Sequence, residues 1–268
     1  DGDGKPDVDD DGKPVYGTRQ GVLRGDLGTS FITRRPVLDM IKERLPYTLL
    51  LMLTAEAVIV TVALVVGLTS ALKQYSIYDH TVAALSFIGL SMPIPLLGLG
   101  LIYIFGVYFK QWGWPYLPTG GIYDPTLGAP GWQQTLRHMI LPVTTLAVVS
   151  VAGYSRYIRG SMLEVIQQDY IRTARAKGLA NRRIVFIHAL KNAALPLVTV
   201  VGLDMPFLLG GAVVTEAIFA WPGMGRLFYD HTVRTDYPVM MGIVMMIAVL
   251  VILFQLITDV TYTFLDPR

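Results

Sequence analysis

Glu56, Asp204 and Asp259 are carboxylates that interrupt long apolar stretches of this chain. A charge at membrane depth is expensive and normally faces a partner or a water-filled cavity. Asp204 lies about eleven residues into its apolar window, roughly 16 Å deep at 1.5 Å per residue, near the midplane of a bilayer. Glu56 is comparably deep, whereas Asp259 is close enough to one end to reach water. Asp204 therefore either faces a translocation pathway or is a neutralised packing residue; for Glu56 packing is favoured. A second group is cationic. Between Arg156 and Lys191 stand eight Lys and Arg residues (156, 159, 172, 175, 177, 182, 183 and 191), opposed only by Glu164 and Asp169. A third feature is the run Ser91-Met92-Pro93-Ile94-Pro95, which must break any helix because proline removes backbone donors and crowds the preceding turn. Such breaks are tolerated beside a cavity or a neighbouring helix.

Several chemistries are excluded. The sequence has no Gly-x-x-x-x-Gly-Lys-Ser/Thr loop, so the chain is not expected to hydrolyse ATP itself. It has no His-Glu-x-x-His and no Gly-x-Ser-x-Gly. The four histidines, His80, His138, His188 and His231, are scattered, and there is no cysteine. Thiolate catalysis, disulfides and thiolate metal sites are thereby ruled out.

The elements that position these residues follow from composition. The chain is 53% hydrophobic and only 16% charged, with a mean hydropathy of +0.49. Soluble domains carry about 25% charged residues. Four windows, Pro46–Leu72, Val82–Phe109, Ala193–Phe219 and Pro238–Phe264, each supply the roughly 20 apolar residues a spanning helix needs. None of the four contains a Lys or Arg. A fifth, Met139–Ser155, is shorter and suffices if Arg156 and Arg159 snorkel to the interface. The ten-residue alternating segments of a barrel are absent. The expected fold is an all-α, polytopic transmembrane bundle with five visible spans.

Lys and Arg resist translocation, so the basic loop 156–192 is expected in the cytoplasm. Parity then places the C-terminus inside and Asp1 outside, which predicts a sixth helix upstream of Asp1. Residues 1–45 read as an external segment and 46–268 as the membrane domain. Asp7, Asp9 and Asp11 with Gly12 match half of a calcium loop, but its twelfth position is Thr18 rather than a bidentate Glu, and a solvated acidic linker is favoured. Trp112, Trp114, Tyr116 and Trp132 between two spans read as interface anchors. Met205, Met240, Met241, Met245 and Met246 offer an adaptable apolar lining or plain packing. Within the basic loop, Ala174, Ala176, Gly178, Leu179 and Ala180 form a strip of small and apolar residues, which suits a short helix seated in a cleft of another protein more than simple lipid attraction.

The run Arg172-Thr173-Ala174-Arg175-Ala176-Lys177-Gly178-Leu179, followed by His188-Ala189-Leu190-Lys191-Asn192-Ala193 and Leu195-Pro196, resembles the cytoplasmic coupling loop of ABC-importer permeases, closest to the dipeptide/oligopeptide/nickel branch. Gly25–Ser30 with Arg35-Pro36-Val37 is similar to that branch's first external loop, and Leu45–Leu49 to the start of its second helix. Thr215–Phe219 with Pro222–Gly225 resembles the exit of its fifth helix, and Leu265–Arg268 its C-terminal end. Arg172-Thr173 stands where the general motif has Glu-Ala, as is usual in the peptide branch. The acidic start, Asp1–Gly12, has no counterpart.

The resemblance implies a type I ABC importer permease in a bacterial or archaeal cytoplasmic membrane. Its partners would be a second homologous permease, two cytoplasmic ATPase subunits that bind ATP and Mg, an external substrate-binding protein, and membrane lipid, but no nucleic acid. It implies coupling through Arg172, Thr173, Ala174, Arg175, Lys177, Gly178 and Leu179. Ser91, Met92, Asp204, Met205 and Gly211 are pathway candidates from position and chemistry, with Asp204 facing a peptide's ammonium. Two rivals are an autonomous carrier or channel, which intramembrane carboxylates and broken helices also suit, and an intramembrane aspartyl protease using Asp204 and Asp259. Against the protease, the two carboxylates sit at different depths, and the sequence reads Val201-Gly202-Leu203-Asp204 where those enzymes need Gly-x-Gly-Asp.

Overall fold

The computed structural model describes residues 25–127 and 131–265; the calcium-loop candidates Asp7, Asp9 and Asp11 lie outside them. Its helices are α1 (Val37–Leu72), α2 (Ile77–Ser91), α3 (Ile94–Leu101), α4 (Phe109–Gln111), α5 (Trp132–Ile166), α6 (Asp169–Ala176), α7 (Asn181–Arg183), α8 (Leu190–Ala193), α9 (Leu195–Ile218), α10 (Met224–Val233) and α11 (Tyr237–Leu265). Wide π-helical turns join α3 to α4 (Ile102–Tyr108) and α7 to α8 (Ile184–Ala189). Among the described residues the sole β feature is an isolated bridge, Thr29 to Pro36.

Among the described residues, four helical stretches are long and apolar enough to cross a membrane: Val37–Leu72, Ile94–Gln111, Trp132–Ile166 and Tyr237–Thr261. A pair bent by 46°, Asn181–Ala193 with Pro196–Met205, makes a fifth if the two are taken as one span. The proline break appears where the sequence puts it. Met92 and Pro93 are extended, and α3 restarts with Pro95 in its first turn, where a missing N–H costs nothing. Three boundaries differ from the sequence reading. The window Val82–Phe109 is divided at Met92-Pro93, and the stretch of crossing length is Ile94–Gln111. The first helix begins at Val37 and runs through Pro46. The short window Met139–Ser155 is the middle of a 35-residue helix. Snorkelling arginines are therefore not needed to complete that span, and Arg159 has a different task.

α1 against α5 is the main packing contact. Leu51, Met52, Ala55 and Ile59 of α1 meet Met139, Val143, Leu146 and Ile158 of α5 in one buried cluster. Gly67 makes this approach possible: a Cβ there would stand 2.6 Å from the Ser155 carbonyl oxygen and 2.8 Å from the Ile158 Cβ. A smaller cluster at the other end joins Val37 and Ile41 to Met224, Leu227, Val239 and Ile243. α11 turns Val249, Ile252, Leu253 and Leu256 outward, a surface that an apolar phase can cover. Hydroxyls in the spans satisfy themselves by donating to carbonyls four residues back, as Thr61, Thr144, Thr145 and Thr258 do.

Gly67→Val is expected to wedge α1 off α5 at a cost of about 1–3 kcal/mol. A thermal melt of the detergent-purified chain checks this; a melting temperature equal to wild type would show that the contact yields without cost.

Candidate functional site

The basic segment folds into α6, a tight turn, and a helical return into α9. α6 ends in a Schellman arrangement. The Leu179 N–H donates to the Ala174 carbonyl at 3.3 Å and the Gly178 N–H to the Arg175 carbonyl at 2.9 Å. Gly178 takes φ +74°, the left-handed region that glycine enters without strain. A Cβ at Gly178 would meet nothing within 4 Å. Within this chain Gly178 is therefore a turn residue rather than a point of close approach.

The helix has two faces. Ile171 and Ala174, three residues apart, are buried, and Leu179 packs on the same cluster. Tyr170, Arg172, Thr173, Arg175, Ala176, Lys177 and Gly178 face outward. The sequence reading placed Ala174 and Leu179 in the outward strip; the structure turns them inward, because they are the apolar pair that closes the Schellman turn. The outward face is consequently cationic, with Arg172 only loosely paired to Asp169 at 3.8 Å. Asn192 donates to the Tyr170 hydroxyl at 2.9 Å and to the His188 carbonyl, tying α6 to the return segment. Beneath lie Met162 of α5 and Ile184, Val185 and Ala189 of the return, all in the α1–α5 core cluster.

The same end of the bundle carries a clasp. Arg159 of α5 donates through Nε and a terminal nitrogen to the two oxygens of Asp79, each at 2.7 Å. Ser70 of α1 and the Tyr75 N–H also donate to Asp79. The Arg159 guanidinium and the Ser70 hydroxyl hold the Asp79 carboxyl well below its ordinary range, against the cost of burial. Arg156 sits 4.6 Å from the centre of the Phe87 ring. These two arginines thus join α1, α2 and α5 rather than reaching for an interface.

The opposite end is built around Glu216, fully buried near the end of α9. It accepts from Thr48 Oγ1 at 2.7 Å and from the Arg226 N–H at 3.0 Å. Thr48 Oγ1 in turn accepts from the Met224 N–H at 2.7 Å. Glu216 is an anion placed on the N-terminus of α10, where unpaired N–H groups and the helix dipole favour negative charge. Gly223 and Gly225 are required here: a side chain at Gly223 would run into the Glu216 carboxylate, and one at Gly225 into the Val213 backbone of α9. Asp236 forms a second tie, accepting from Ser30 Oγ and the Phe31 N–H and meeting His231 Nδ1 at 2.9 Å. Burial opposes its charge, yet Ser30, Phe31 and His231 together hold it below the ordinary value.

The pathway candidates separate. Ser91 and Met92 lie at the α2–α3 break, Ser91 exposed and Met92 half-buried. Asp204 and Met205 are half-buried on α9, and Gly211 belongs to the same helix. Asp204 lines a cavity of about 440 Å³ that also touches Leu90, Ile94 and Tyr154; Ser91, Met92 and Met205 do not line it. Asp259 is exposed and accepts from Gln255 at 3.3 Å. Among the described residues no group of His, Asp and Glu is arranged to hold a metal. Sequence reasoning missed Asp79 with Arg159, Tyr170 with Asn192, and Tyr154. The first two pairs are separated by 80 and 22 residues and have no spacing signal.

A family model described as "Binding-protein-dependent transport system inner membrane component" matches residues 63–268. The chain is 44% identical over 249 residues to the oligopeptide transport system permease protein AppB of Bacillus subtilis (strain 168), covering 92% of this chain and 77% of that one. It is 40% identical over 268 residues to the dipeptide transport system permease protein DppB of Escherichia coli (strain K12), covering 92% and 78%. Among solved structures, a chain of the MetNI methionine ABC transporter in an inward-facing conformation superposes with a TM-score of 0.66 at 20% identity, covering 85% of this chain and 97% of that chain. At that identity the likeness is one of fold.

Two outcomes follow from the two ends of the bundle. Asp79, whose carboxyl titrates lower in the folded chain than its ordinary 3.8, adds stability above that value and loses it as pH falls through the folded value. Its contribution is thus flat from pH 7 to about 5 and disappears in stronger acid; Asp79→Asn should melt lower at neutral pH, and its deficit should shrink below about pH 4 in melts taken across the acid range. Glu216→Ala, which removes the cap and strands the Arg226 N–H and the Thr48 hydroxyl, should cost about 1–3 kcal/mol in denaturant or thermal unfolding.

Proposed function

The chain belongs to the family of binding-protein-dependent transport system inner membrane components, and on that premise we propose that it is the permease of an ATP-driven importer for small peptides. It is a membrane-spanning ABC-importer permease, as its all-α bundle and its relatives agree. Peptide as the solute is supported by relatives named for oligopeptide and dipeptide transport. Chemical energy comes from outside the chain, whose sequence contains no phosphate loop. Two cytoplasmic ATPase subunits would bind ATP and Mg, a second homologous permease would complete the pathway, and an external binding protein would deliver the solute. Loop 156–192 and the C-terminus would lie in the cytoplasm and residues 1–45 outside, because the eight cations of the loop resist translocation.

One observation carries the mechanical part of this reading: the two-faced α6. Its outward face is cationic and its inward face, Ile171 and Ala174, is seated in the α1–α5 core. A partner that pulls on Arg172, Thr173, Arg175 and Lys177 moves a short helix held at both ends. The Schellman turn at Gly178 fixes one end and the Tyr170–Asn192 bond ties it to the return into α9. Displacement of α6 therefore reaches α5 through Met162 and α9 through Asn192. On α5, the Arg159–Asp79 clasp passes it to α1 and α2. Interiors are close-packed, so such a rigid block shifts as a unit rather than deforming.

Affinity purification of the assembled transporter with this chain as bait, followed by ATPase and uptake assays, tests the reading. Wild type should bring down ATPase subunits. Gly178→Val, a β-branched residue forced into the left-handed region, should uncouple hydrolysis from uptake, and Arg175→Glu should weaken ATPase capture by about tenfold or more through charge reversal. A chain that purifies alone and still moves solute into liposomes would overturn the reading in favour of a self-sufficient carrier or channel.

A further inference from the structure

Glu56 of α1 is 4% exposed and neither carboxylate oxygen has a hydrogen-bond partner among the described residues. Tyr154 of α5 is 3% exposed and its hydroxyl is likewise unpartnered. The two lie within electrostatic range of each other and of Asp204 on α9. Three elements thus bring two carboxyl groups and a phenol together at mid-depth in the bundle. This is unlike the other buried carboxylates among the described residues: Asp79 and Asp236 each accept from three or more groups and Glu216 from two. A buried polar group without a partner costs free energy that a fold does not tolerate idly. The adjoining cavity of about 440 Å³ is lined by Tyr154 and Asp204, with Glu56 buried behind them rather than on its wall, and no Lys or Arg lines it. Its remaining walls are largely apolar, with Leu90, Ile94, Leu146 and Val200. It opens to the surface of the chain at Leu203 and Tyr157, both exposed.

We propose that Glu56, Tyr154 and Asp204 form a binding site for a primary ammonium group in the translocation pathway. The three acceptors match an ammonium's three donors. The apolar walls match the side chain next to such an amine, and the volume is within the range of about 300–1,000 Å³ usual for small-molecule sites. A hard divalent cation fits less well, since it seeks six or more oxygens and here finds apolar walls. Resting on the peptide reading above, the ammonium is the amino terminus of a peptide. The site would hold it for part of the crossing and let it go when α5 and α9 separate, because the trio is spread over three helices and exists only while they are together.

The test is uptake by the complete transporter in proteoliposomes, at concentrations that saturate the binding protein with each solute. The solutes are dialanine, N-acetyl-dialanine, and N-acetyl-alanyl-lysine, which has an ammonium only on its side chain. Wild type should move dialanine about tenfold faster than its acetylated form, the worth of one charge-assisted contact. In Asp204→Asn and in Tyr154→Phe, both nearly isosteric, that ratio should fall toward one, whereas Asp204→Glu should keep a clear preference. Comparing solutes within each variant makes the ratio independent of how much active protein is present. Rapid movement of N-acetyl-alanyl-lysine would support the ammonium site while assigning the amine to a side chain. A ratio near one in wild type, or an undiminished ratio in both Asp204→Asn and Tyr154→Phe, would overturn the site and leave peptide uptake standing. Wild type that takes up none of the three would instead overturn the peptide reading on which the site rests.

Discussion

Helix α5 packs along α1 at a separation that only Gly67 permits, and the rest of the bundle is arranged around that contact. The reason is physical. In an apolar surrounding, burial of apolar side chains against one another gains little over burial in lipid, so helices are held by close packing and by polar bonds at chosen points. A glycine that brings a backbone carbonyl within touching distance of the neighbouring helix supplies the first. The Arg159–Asp79–Ser70 clasp supplies the second, at the end where α5 emerges beside the basic loop. Both act on the same two helices. A force applied at α6 therefore meets a stiff lever rather than a loose strand.

The chain's buried carboxylates fall into two kinds, and the difference is instructive. Asp79, Glu216 and Asp236 join elements: each gathers donors from separate segments and is replaced at a cost because several N–H or O–H groups would be stranded with it. Glu216 is the clearest case, since one side chain closes the exit of α9, caps α10 and receives Thr48 from α1. Glu56 gathers no such donors among the described residues, and the Tyr154 hydroxyl near it is likewise without a partner. A structural tie would be worse than an apolar residue in that position. Groups that a fold leaves unsatisfied are better read as groups kept for a ligand.

Much of the fold was legible from the chain itself, because the signals are local. Apolar windows gave the spans, Pro93 and Pro95 gave the break, and the density of Lys and Arg gave the loop. The errors were also local in origin. Met139–Ser155 looked short because Arg156 and Arg159 cut the apolar run, although a helix with a buried ion pair continues past such residues. Ala174 and Leu179 looked like part of an outward strip because small residues carry no direction in sequence; the turn at Gly178 decides which way they point. Distant pairs were invisible: nothing in the spacing of Asp79 and Arg159, or of Glu56, Tyr154 and Asp204, joins them before the helices pack.

The site at the membrane midplane and the site at the basic loop are linked by the same helix. Tyr154 and Met162 are eight residues apart on α5, about 12 Å along its axis, so one carries the phenol of the polar trio and the other the floor of α6. α9 offers a second connection, since it begins beside the Asn192 tie and holds Asp204. A solute held by groups on α1, α5 and α9 would resist their separation, and a partner that draws α6 away would promote it. Loading of the ammonium site and movement of α6 would then be two handles on one equilibrium, and by reciprocity each must change the other's free energy by the same amount.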